Sequence, residues 1–400
     1  MNNSFFAPNA MNKNFLMFSN SIGHRKVLDR IQAAKLAGYR IHLICYDKGH
    51  DSAIRDEVIS MATTVSLIGR PADMSIFGRF MHWIAARKAY IGLNTEAKSD
   101  VVLVNSFEWL FFCKIFAKKP RRAVYDVADI HPVQYKGVLS ILIRIFERIS
   151  LSGGWVIAVT SPWFYWSYFL RYRVVGGDHK CYLIENKLSR VEHESLSDFS
   201  ENAPLRVPVV IAWTGILRCN TSLRLLIDLV EASPGCYSIW CVGVVDKLDP
   251  KLLEYASKLV DIKFKGVYQF SNLSLMIHGA NYLWGCDFDD GFNSSVLLPN
   301  RLYQGVAACV PIISSSSTAV GAVVDFYKIG ISFVGRDPVL LKEILDSINS
   351  DTHRSMRDRC KLLNSKVVRN QEWLDLLIDS NIESKVLSNS CVNPGVVFNG

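Results

Sequence analysis

Hydrophobic and polar positions in the first part of the chain follow the order of a strand, a helix and a second strand. An apolar run at residues 15–19 is followed by a polar turn, and Arg25–Leu36 then shows the apolar spacing of a helix. A glycine follows that helix, where a left-handed cap is favoured, and Arg40–Tyr46 is rich in strand-forming residues. A strand–helix–strand unit with so short a first turn predicts a parallel sheet.

The same alternation continues and then starts again in the second half of the chain. Further strands of the first half are predicted at residues 101–104, 123–125, 155–160 and 181–184. In the second half, strands are predicted at 209–213, 238–242, 262–264, 282–284 and 311–314, and helices at 223–231, at 339–348 and over parts of 352–377. The chain is therefore predicted to be an α/β protein with two Rossmann-like parallel-sheet domains.

The length of the chain agrees with two domains. Its 400 residues exceed one ordinary core and suit two domains of roughly 150–200 residues each. We predict a first domain at residues 1–194, a polar linker at 195–208, a second domain at 209–385, and a tail at 386–400 that crosses back or frays. Open parallel sheets bind ligands beyond the carboxyl ends of their strands, so we expect two such edges to face each other across a cleft.

Composition indicates a cytoplasmic protein. The beginning of the chain has no basic segment followed by an apolar one, so a secretory signal is not expected. A membrane-spanning helix is not expected either, since no run of about 18 uncharged apolar residues occurs. The ten cysteines form no CxxC pair, which favours buried thiols in a reducing compartment over zinc ligands or disulfides.

Charge is distributed unevenly. Residues 1–190 contain 26 Lys and Arg against 14 Asp and Glu, a net charge of +12, whereas residues 191–400 contain 19 against 23, a net charge of −4. A basic half suits anionic lipid headgroups, a phosphorylated acceptor or nucleic acid. Nucleic acid ranks last because the chain has no zinc-finger, RNP or helix-turn-helix signature.

Membrane contact is a hypothesis that rests on three basic segments. Residues 136–151 and 163–173 interleave apolar and aromatic residues with arginines, and Lys118, Lys119, Arg121 and Arg122 form a short cationic cluster. Such segments suit peripheral docking on the inner face of an anionic plasma membrane. The alternative is that both apolar stretches are helices buried in the first domain, and we expect their apolar faces to be buried.

Candidate chemistry concentrates in residues 286–304, where a polar loop leads into a predicted helix. Asn and Ser residues at 293–295 suit helix N-caps, and Pro299 suits a first helical turn. A helix N-terminus offers free backbone N–H groups to a diphosphate, and Arg301 adds a positive charge there. From spacing alone, an ordinary amphipathic helix with an exposed arginine is slightly favoured.

A resemblance to a known family favours the diphosphate site over an ordinary amphipathic helix. Residues 299–304 (Pro-Asn-Arg-Leu-Tyr-Gln) and 310–313 (Val-Pro-Ile-Ile) resemble the donor-site helix of GT-B glycosyltransferases, approximately Pro-Asn-Lys-Leu-Phe-Glu-Tyr and then Gly-x-Pro-Val-Val. The resemblance implies that Arg301 contacts the nucleotide diphosphate and Gln304 the ribose. It also implies that Asn293 and Asn300 line the sugar-phosphate side.

Three departures from the family pattern indicate which branch the chain resembles. Gln304 replaces the commoner Glu, Cys309 stands where Gly is usual, and Val296 stands where a retaining family-4 enzyme has its first Glu. The glutamine is similar to that of the glucuronosyltransferase of xanthan-type gum assembly, an inverting enzyme. Inversion is therefore favoured.

Other segments agree with the resemblance in order and spacing. Residues 213–218 resemble the first strand and loop of the donor domain, where Gly215 allows close backbone approach and Arg218 contacts phosphate. A strand-ending glycine with a solvated arginine fits this segment equally well. The loop at 265–268 resembles the one that borders the base, so Tyr268 either stacks there or packs in the core. Residues 161–164 and 184–186 resemble the end of the acceptor domain.

For a catalytic base the sequence points to the first domain, where the acceptor binds in GT-B enzymes. Asp129 follows a predicted strand and matches the catalytic aspartate in the Ser-Asp-Gly loop of the gum glucuronosyltransferase, so it would accept the proton of the attacking hydroxyl. We interpret Asp126 as a structural cap and His131 as a helper. His131 as the base is the main alternative. His24, in the turn before the first helix, either faces the acceptor or is an exposed turn residue.

No metal or other cofactor is predicted. Asp287-Phe288-Asp289 is a DxD sequence, the metal-binding signature of GT-A enzymes. It lies late in the chain, directly before the donor helix, so we interpret it as a solvated acidic loop.

The sequence therefore predicts an enzyme, a glycosyltransferase of polysaccharide biosynthesis. It would transfer a sugar from a UDP-linked donor to a lipid-linked or growing saccharide, with Asp129 as base, and with Arg301, Arg218 and a helix N-terminus stabilising the leaving diphosphate. A retaining family-4 transferase, a GT-B-fold UDP-sugar epimerase and a non-catalytic nucleotide- or saccharide-binding subunit remain as alternatives. A dehydrogenase is disfavoured because no GxGxxG follows the first strand of either domain.

Overall fold

The structure, a computed structural model, describes residues 13–47, 52–69, 76–93, 100–117, 120–176, 179–197, 204–268, 270–369, 372–378, 387 and 394–398. The chain divides into two compact units. The first comprises residues 1–159, 165–184 and 371–389, and the second comprises 160–164, 185–370 and 390–400. Each unit is built on one parallel sheet, as the alternation of apolar runs and helices predicts.

The sheet of the first unit has the order β3–β2–β1–β4–β5–β6–β7 over the described residues, with every pairing parallel. The strands are β1 Asn14–Ser19, β2 Arg40–Tyr46, β3 Thr64–Ile68, β4 Val101–Val104, β5 Arg122–Val127, β6 Trp155–Val159 and β7 Cys181–Leu183. Strand order reverses between β1 and β4, and parallel sheets bind ligands beyond the carboxyl ends at such a switch point.

The sheet of the second unit has the order β10–β9–β8–β11–β12–β13 within the part that the structure describes, again parallel throughout. The strands are β8 Val209–Leu217, β9 Tyr237–Val245, β10 Ile262–Gly266, β11 Tyr282–Trp284, β12 Ile312–Ser315 and β13 Gly330–Phe333. The switch point lies between β8 and β11.

Helices connect these strands. They are α1 Arg25–Leu36, α2 Ser52–Met61, α3 Ile76–Gly92, α4 Phe107–Phe116, α5 Leu139–Leu151, α6 Pro162–Phe164, α7 Arg190–Ser197, α8 Asn220–Ala232, α9 Pro250–Lys258, α10 Phe270–His278, α11 Phe292–Val296, α12 Asn300–Ala307, α13 Ala319–Tyr327, α14 Pro338–Ser347, α15 Ser350–Leu363 and α16 Glu372–Ile378. A π-helical turn covers Tyr165–Leu170, and 3₁₀ turns cover Pro132–Gln134, Asn364–Val367 and Pro394–Val396.

The last long helix, α16, belongs to the first unit, although the sequence pattern assigned it to the second domain. Its Trp373, Leu376 and Leu377 are part of the first unit's hydrophobic core. Tyr39 donates a hydrogen bond to the carbonyl of Leu377 at 2.9 Å, and Arg122 donates one to the carbonyl of Leu376 at 2.6 Å. The buried apolar side chains of α16 thus complete the core beside α1.

The apolar face of α5 is not buried, contrary to our expectation. Its outward side chains, from Leu139 to Ile149, are about half exposed or more, whereas its polar Ser140, Glu147 and Ser150 are buried. The expectation is confirmed for the aromatic residues of the other segment, at 163–165, 168 and 169, all of which are buried.

Residues 394–398 of the predicted tail pack within the second unit. The Tyr327 hydroxyl donates a hydrogen bond to the carbonyl of Gly395 at 3.1 Å. The ring of Phe398 lies 5.8 Å from that of Tyr303 and 5.2 Å from that of Tyr327, centroid to centroid. The described end of the chain is thereby attached to α12 and α13.

Candidate functional site

The predicted donor residues converge at the carboxyl edge of the second sheet, around its switch point. Gly215 and Arg218 lie at the end of β8, and Tyr268 follows β10. Asn293 and Arg301 lie on α11 and α12, which follow β11. A shared edge is the expected result of parallel strands, and a switch point there leaves room for a ligand.

Gly215 occupies a position that favours glycine. Its φ is +98°, and it pairs with Gly243 on β9, whose φ is +145°. A Cβ on Gly243 would lie 1.8 Å from the carbonyl oxygen of Gly215, whereas a Cβ on Gly215 itself would meet nothing within 4 Å. The space beside Gly215 is therefore open, and close approach of a ligand there remains a prediction.

Arg218 is held by the acidic loop that contains the DxD sequence. Its Nη2 donates to Asp290 Oδ2 at 2.8 Å, and its Nε lies 3.6 Å from Asp287 Oδ2. Asp289 accepts hydrogen bonds from the amide and the hydroxyl of Thr221, at 3.1 and 2.6 Å. The interpretation of this loop as merely solvated is wrong, because its carboxylates fix the arginine and the start of α8.

Arg301 lies in the first turn of α12, near the same loop. Its Nη1 donates to the carbonyl of Trp284 at 3.4 Å. Burial lowers the pKa of Arg301, and the negative charge of Asp287 opposes that effect. Asp287 thus forms an ion pair with Arg218, and its charge also acts on Arg301.

The remaining donor candidates lie along α11 and α12. Gln304 is buried and accepts a hydrogen bond from the Thr214 hydroxyl at 3.3 Å. Burial raises the pKa of Tyr268, while its hydrogen bond with Gln304 and the positive charge of Arg301 lower it, so these three side chains meet. Asn293 is buried in α11, and Asn300 is exposed at the first position of α12.

The loop that carries α11 and α12 is braced by segments that the sequence placed at the end of the acceptor domain. Ser161 donates to the carbonyl of Val296 at 2.5 Å, and Asn186 donates to the carbonyl of Leu298 at 3.2 Å. Tyr303 on α12 donates to Glu185 Oε1 at 3.2 Å. These residues belong to the second unit and act as positioning residues for the donor helix.

Glu185 is a buried carboxylate behind α12. Its Oε2 lies 3.3 Å from Lys187 Nζ, and its Oε1 accepts a bond from the amide of Phe398 at 3.4 Å. Burial raises the pKa of Glu185, and Lys187 opposes the rise. Sequence reasoning quoted this Glu only as part of a motif. Its role depends on contacts between distant parts of the chain.

The predicted base, Asp129, is exposed just beyond the end of β5 in the first unit. Burial lowers the pKa of the nearby Lys26, and the charge of Asp129 opposes that effect. Lys26 was missed by sequence reasoning, because it appears only as one of several cations on α1. Its ammonium group would stabilise the ionised form of Asp129, the form that a base requires.

Asp126 is structural, but not as a cap. It is buried, and it accepts hydrogen bonds from Nε and Nη2 of Arg30 at 2.9 and 3.3 Å. Arg30 also lies over the ring of Trp373, with Cζ 4.2 Å from the centroid. Asp126 therefore fixes α1 to the sheet, and the interpretation as a cap is corrected to a buried ion pair.

Both candidate histidines are exposed N-caps: His24 caps α1, and His131 caps the 3₁₀ turn Pro132–Gln134. Nδ1 of His131 accepts from the amide of Val133 at 3.3 Å, and Nδ1 of His24 accepts from the amide of Lys26 at 3.2 Å. At the first sheet's switch point, Asn105 donates to the hydroxyl of Ser19 at 2.8 Å. Asn105 is another polar residue at this edge that sequence reasoning missed.

Metal ligation has no geometric support in the described ranges. No group of three or more His, Cys, Asp or Glu side chains among them is placed to hold a metal ion. The carboxylates of the DxD loop contact Arg218 and Thr221 instead. The absence of a metal requirement remains a prediction.

No family model matches this chain. One curated relative is similar to it in sequence over most of its length. The succinoglycan biosynthesis protein ExoL of Rhizobium meliloti (strain 1021) is 26% identical over 317 residues. This similarity covers 74% of the present chain and 76% of that protein. It therefore extends well beyond a single motif.

Solved structures share the fold. The Anabaena protein Alr3699/HepE in complex with UDP and glucose has a TM-score of 0.64 at 12% identity, covering 91% of this chain and 98% of that one. A glycosyltransferase from Rickettsia africae has a TM-score of 0.63 at 12% identity, covering 92% and 100%. Sucrose-phosphate synthase from Thermosynechococcus elongatus has the same TM-score and identity, covering 92% and 97%.

These comparisons confirm two predictions. The fold class is that of the GT-B glycosyltransferases, with two Rossmann-like parallel-sheet units. The resemblance to the GT-B fold, made from a few motifs, extends over more than nine tenths of the chain in these structures.

Proposed function

We propose that the protein is a glycosyltransferase of polysaccharide biosynthesis that binds a UDP-linked sugar at the carboxyl edge of the second sheet. The observation that carries this proposal is the convergence of Arg218, Arg301, Gln304 and Tyr268 at the switch point between β8 and β11. The likeness to a protein solved with UDP and with UDP-glucose supports the choice of nucleotide.

In this proposal, the two arginines bind the donor diphosphate. The diphosphate would take over the Arg218 guanidinium that now faces Asp287 and Asp290, and it would also lie near the charge of Arg301. Arginine suits this role because its planar group makes paired hydrogen bonds to phosphate oxygens. Two fixed cations stabilise the charge of the leaving diphosphate, so we propose that transfer needs no metal or other cofactor and persists in EDTA.

The nucleoside would lie against Tyr268 and Gln304. Tyr268 follows β10 and lies near Gln304, whose side chain lowers the tyrosine pKa. Gln304 is buried with Thr214 on its other side. An amide held by Thr214 can also bind a ribose hydroxyl, because its nitrogen donates and its oxygen has a second lone pair, which supports ribose contact by Gln304.

Asp129 is the proposed base, and inversion is the proposed outcome. The exposed carboxylate lies at the carboxyl edge of the first sheet, and Lys26 favours its ionised form. A base that removes the proton of the acceptor hydroxyl suits direct displacement at the sugar carbon. Val296, at the position where retaining relatives have a Glu, is buried and apolar, which disfavours retention.

We propose a lipid-linked or growing saccharide as the acceptor. The similarity to a protein named for succinoglycan biosynthesis supports a saccharide chain as the product. A lipid-linked acceptor would require the enzyme to work at a membrane surface. None of the helices among the described residues is long and apolar enough to cross a membrane.

Calorimetric titration with UDP tests the donor site. We expect Arg301→Ala to weaken UDP binding by roughly tenfold or more, because it removes a charged hydrogen-bond donor. Arg354→Ala is the matched control, since the Arg354 side chain is 72% exposed on α15 and pairs with nearby Asp351. Equal affinity in the two variants would refute the assignment of Arg301.

Product analysis separates the alternatives. NMR of the product from a UDP-sugar and an acceptor glycan shows whether the anomeric configuration inverts, as we expect, or is retained. A donor that is converted to its epimer without any acceptor would identify an epimerase. UDP binding with neither transfer nor donor hydrolysis, and unchanged in Asp129→Asn, would identify a non-catalytic subunit.

A further inference from the structure

Helix α5 has its polar face turned inward and its apolar face turned outward. Ser140, Glu147 and Ser150 are buried against the first unit. Glu147 accepts hydrogen bonds from Gln134 at 3.2 Å and from Tyr168 at 2.5 Å. Because polar contacts attach this helix to its domain, its hydrophobic stripe faces outward and is not packed in the domain core.

The outward face is a continuous apolar surface. Its side chains are exposed by the following fractions: Val138 84%, Leu139 57%, Ile141 53%, Leu142 53%, Ile145 50%, Phe146 59% and Ile149 49%. Their spacing follows the helical repeat, so they share one side of α5. On α4, Phe111 lies 6.0 Å from the ring of Phe146, and Ile115 is 61% exposed. Contiguous apolar patches of this kind mark interaction or membrane sites, unlike isolated exposed residues.

The exposed charged side chains of α5 and of the residues directly before it are positive. Between residues 136 and 151 the charged residues are Lys136, Arg144, Glu147 and Arg148, of which only Glu147 is acidic, and it is buried. Arg144 lies over the ring of Tyr172, with Cζ 4.3 Å from the centroid. Apolar side chains flanked by arginines and tyrosine match the layers of a membrane interface, where cations meet lipid phosphates.

The charge pattern disfavours a second copy of the chain as the partner that covers the outward face of α5. In a symmetric contact the same surface meets itself, so Arg144 and Arg148 would face identical cations. An anionic bilayer offers opposite charge and an apolar layer at once. Lys118 and Lys119 of the basic cluster predicted from the sequence lie outside the described residues. Arg122 of that cluster is engaged with Leu376.

We infer that the outward face of α5 docks the first unit on an anionic lipid bilayer. Its apolar side chains enter the boundary between headgroups and acyl chains, and Arg144 and Arg148 contact lipid phosphates. This docking surface is independent of the chemistry proposed for the donor site. It identifies the helix through which the protein would reach a lipid-linked acceptor.

Vesicle flotation tests the inference. The full chain is mixed, at low salt, with phosphatidylcholine vesicles that either contain or lack phosphatidylglycerol. We expect binding to the anionic vesicles that weakens as salt is raised, because screening shortens the range of the arginine charges. Leu142→Gln with Phe146→Gln should weaken vesicle binding by roughly tenfold or more, since both apolar side chains leave the acyl boundary.

The control is Leu275→Gln with Leu362→Gln, which removes two side chains of the second unit that are 61% and 78% exposed. This variant should bind vesicles as the wild type does. Arg148→Gln should weaken binding to anionic vesicles and leave binding to neutral ones unchanged. An unchanged circular dichroism spectrum and thermal unfolding midpoint in every variant show that the fold of both units is intact.

Three results would overturn the inference. The first is wild-type protein that does not float with anionic vesicles at low salt. The second is equal flotation of the α5 variant and its control. The third is self-association by light scattering that the α5 variant abolishes, without vesicle binding, which would assign the face to a second copy. The flotation contains no nucleotide sugar, so its failure leaves the proposed reaction standing.

Discussion

Replacing Asp287 by asparagine is expected to strengthen UDP binding, although Asp287 lies in the candidate site. Its carboxylate is 3.6 Å from Nε of Arg218, and its negative charge is the strongest one acting on Arg301. If the donor diphosphate binds both arginines, it competes with this carboxylate. Asparagine keeps an oxygen that can accept from the Ser294 hydroxyl and the Asp289 amide, so the loop should hold its shape.

The size of the effect follows from the separation and the exposure of the pair. Coulomb's law gives roughly 4–5 kcal/mol for unit charges 3.6 Å apart at an effective dielectric constant of about 20. The side chains of Arg218 and Asp287 are 36% and 18% exposed, so solvent screens most of that attraction. Measured exposed pairs contribute about 0.2–1 kcal/mol, and we therefore expect UDP affinity to rise roughly twofold to fivefold.

Calorimetric titration with UDP at fixed ionic strength measures the change. Asp289→Asn is the matched control, because it removes the same charge from the same loop but from a side chain that contacts Thr221. If UDP binding responds only to the net charge of this loop, both variants should bind UDP more tightly by the same factor. Weaker binding in Asp287→Asn, or a gain no larger than that of Asp289→Asn, would refute competition between the carboxylate and the diphosphate.

Three further predictions concern the base and the buried polar groups. Asp129→Asn should lower kcat by roughly 10²–10⁴-fold, the usual contribution of a general base, without changing UDP affinity; undiminished transfer in a glycan acceptor assay would contradict it. Burial raises the pKa of Glu147 from 4.5 to about 7. Between those pH values the folded protein holds a proton that the unfolded chain has released. The free energy of unfolding should therefore fall by up to about 3 kcal/mol as the pH rises from 4.5 to about 7. Urea unfolding at pH 5 and pH 8 should show this loss in the wild type and not in Glu147→Gln. Tyr303→Phe removes the hydrogen bond to buried Glu185. It should lower the free energy of unfolding by about 1–3 kcal/mol. A change below about 0.5 kcal/mol would contradict a stabilising role for this bond.

The periodicity of the sequence predicts elements well where the local pattern decides the structure. The helix α1 and the strands β2, β4 and β11 have the predicted bounds, because buried parallel strands and amphipathic helices leave strong patterns. The strands β3 and β13 lie at sheet edges with partly exposed residues, and no pattern predicted them. Exposed and half-buried positions interrupt the apolar run in these two strands, whereas the edge strand β7 is fully buried and was predicted.

The candidate site was predictable in its residue types and less so in its contacts. The segment 299–304 identifies Arg301 and Gln304 through a family resemblance. The pairing of Asp290 with Arg218 joins positions 72 residues apart, and that of Asp126 with Arg30 joins positions 96 apart. Local periodicity carries no information about such pairs. It likewise reports that α5 is amphipathic without reporting which face meets the protein.

The membership of α16 in the first unit affects how the protein can be divided. A fragment that ends at residue 194 would lack Trp373, Leu376 and Leu377, and it would leave the hydroxyl of Tyr39 and the guanidinium of Arg122 without their carbonyl partners on this helix. The first unit should therefore be insoluble or unstable when expressed as a contiguous N-terminal piece. A chimaera that exchanges the second unit with that of a relative should place a junction near residue 370, before α16, so that α16 stays with the sheet it completes.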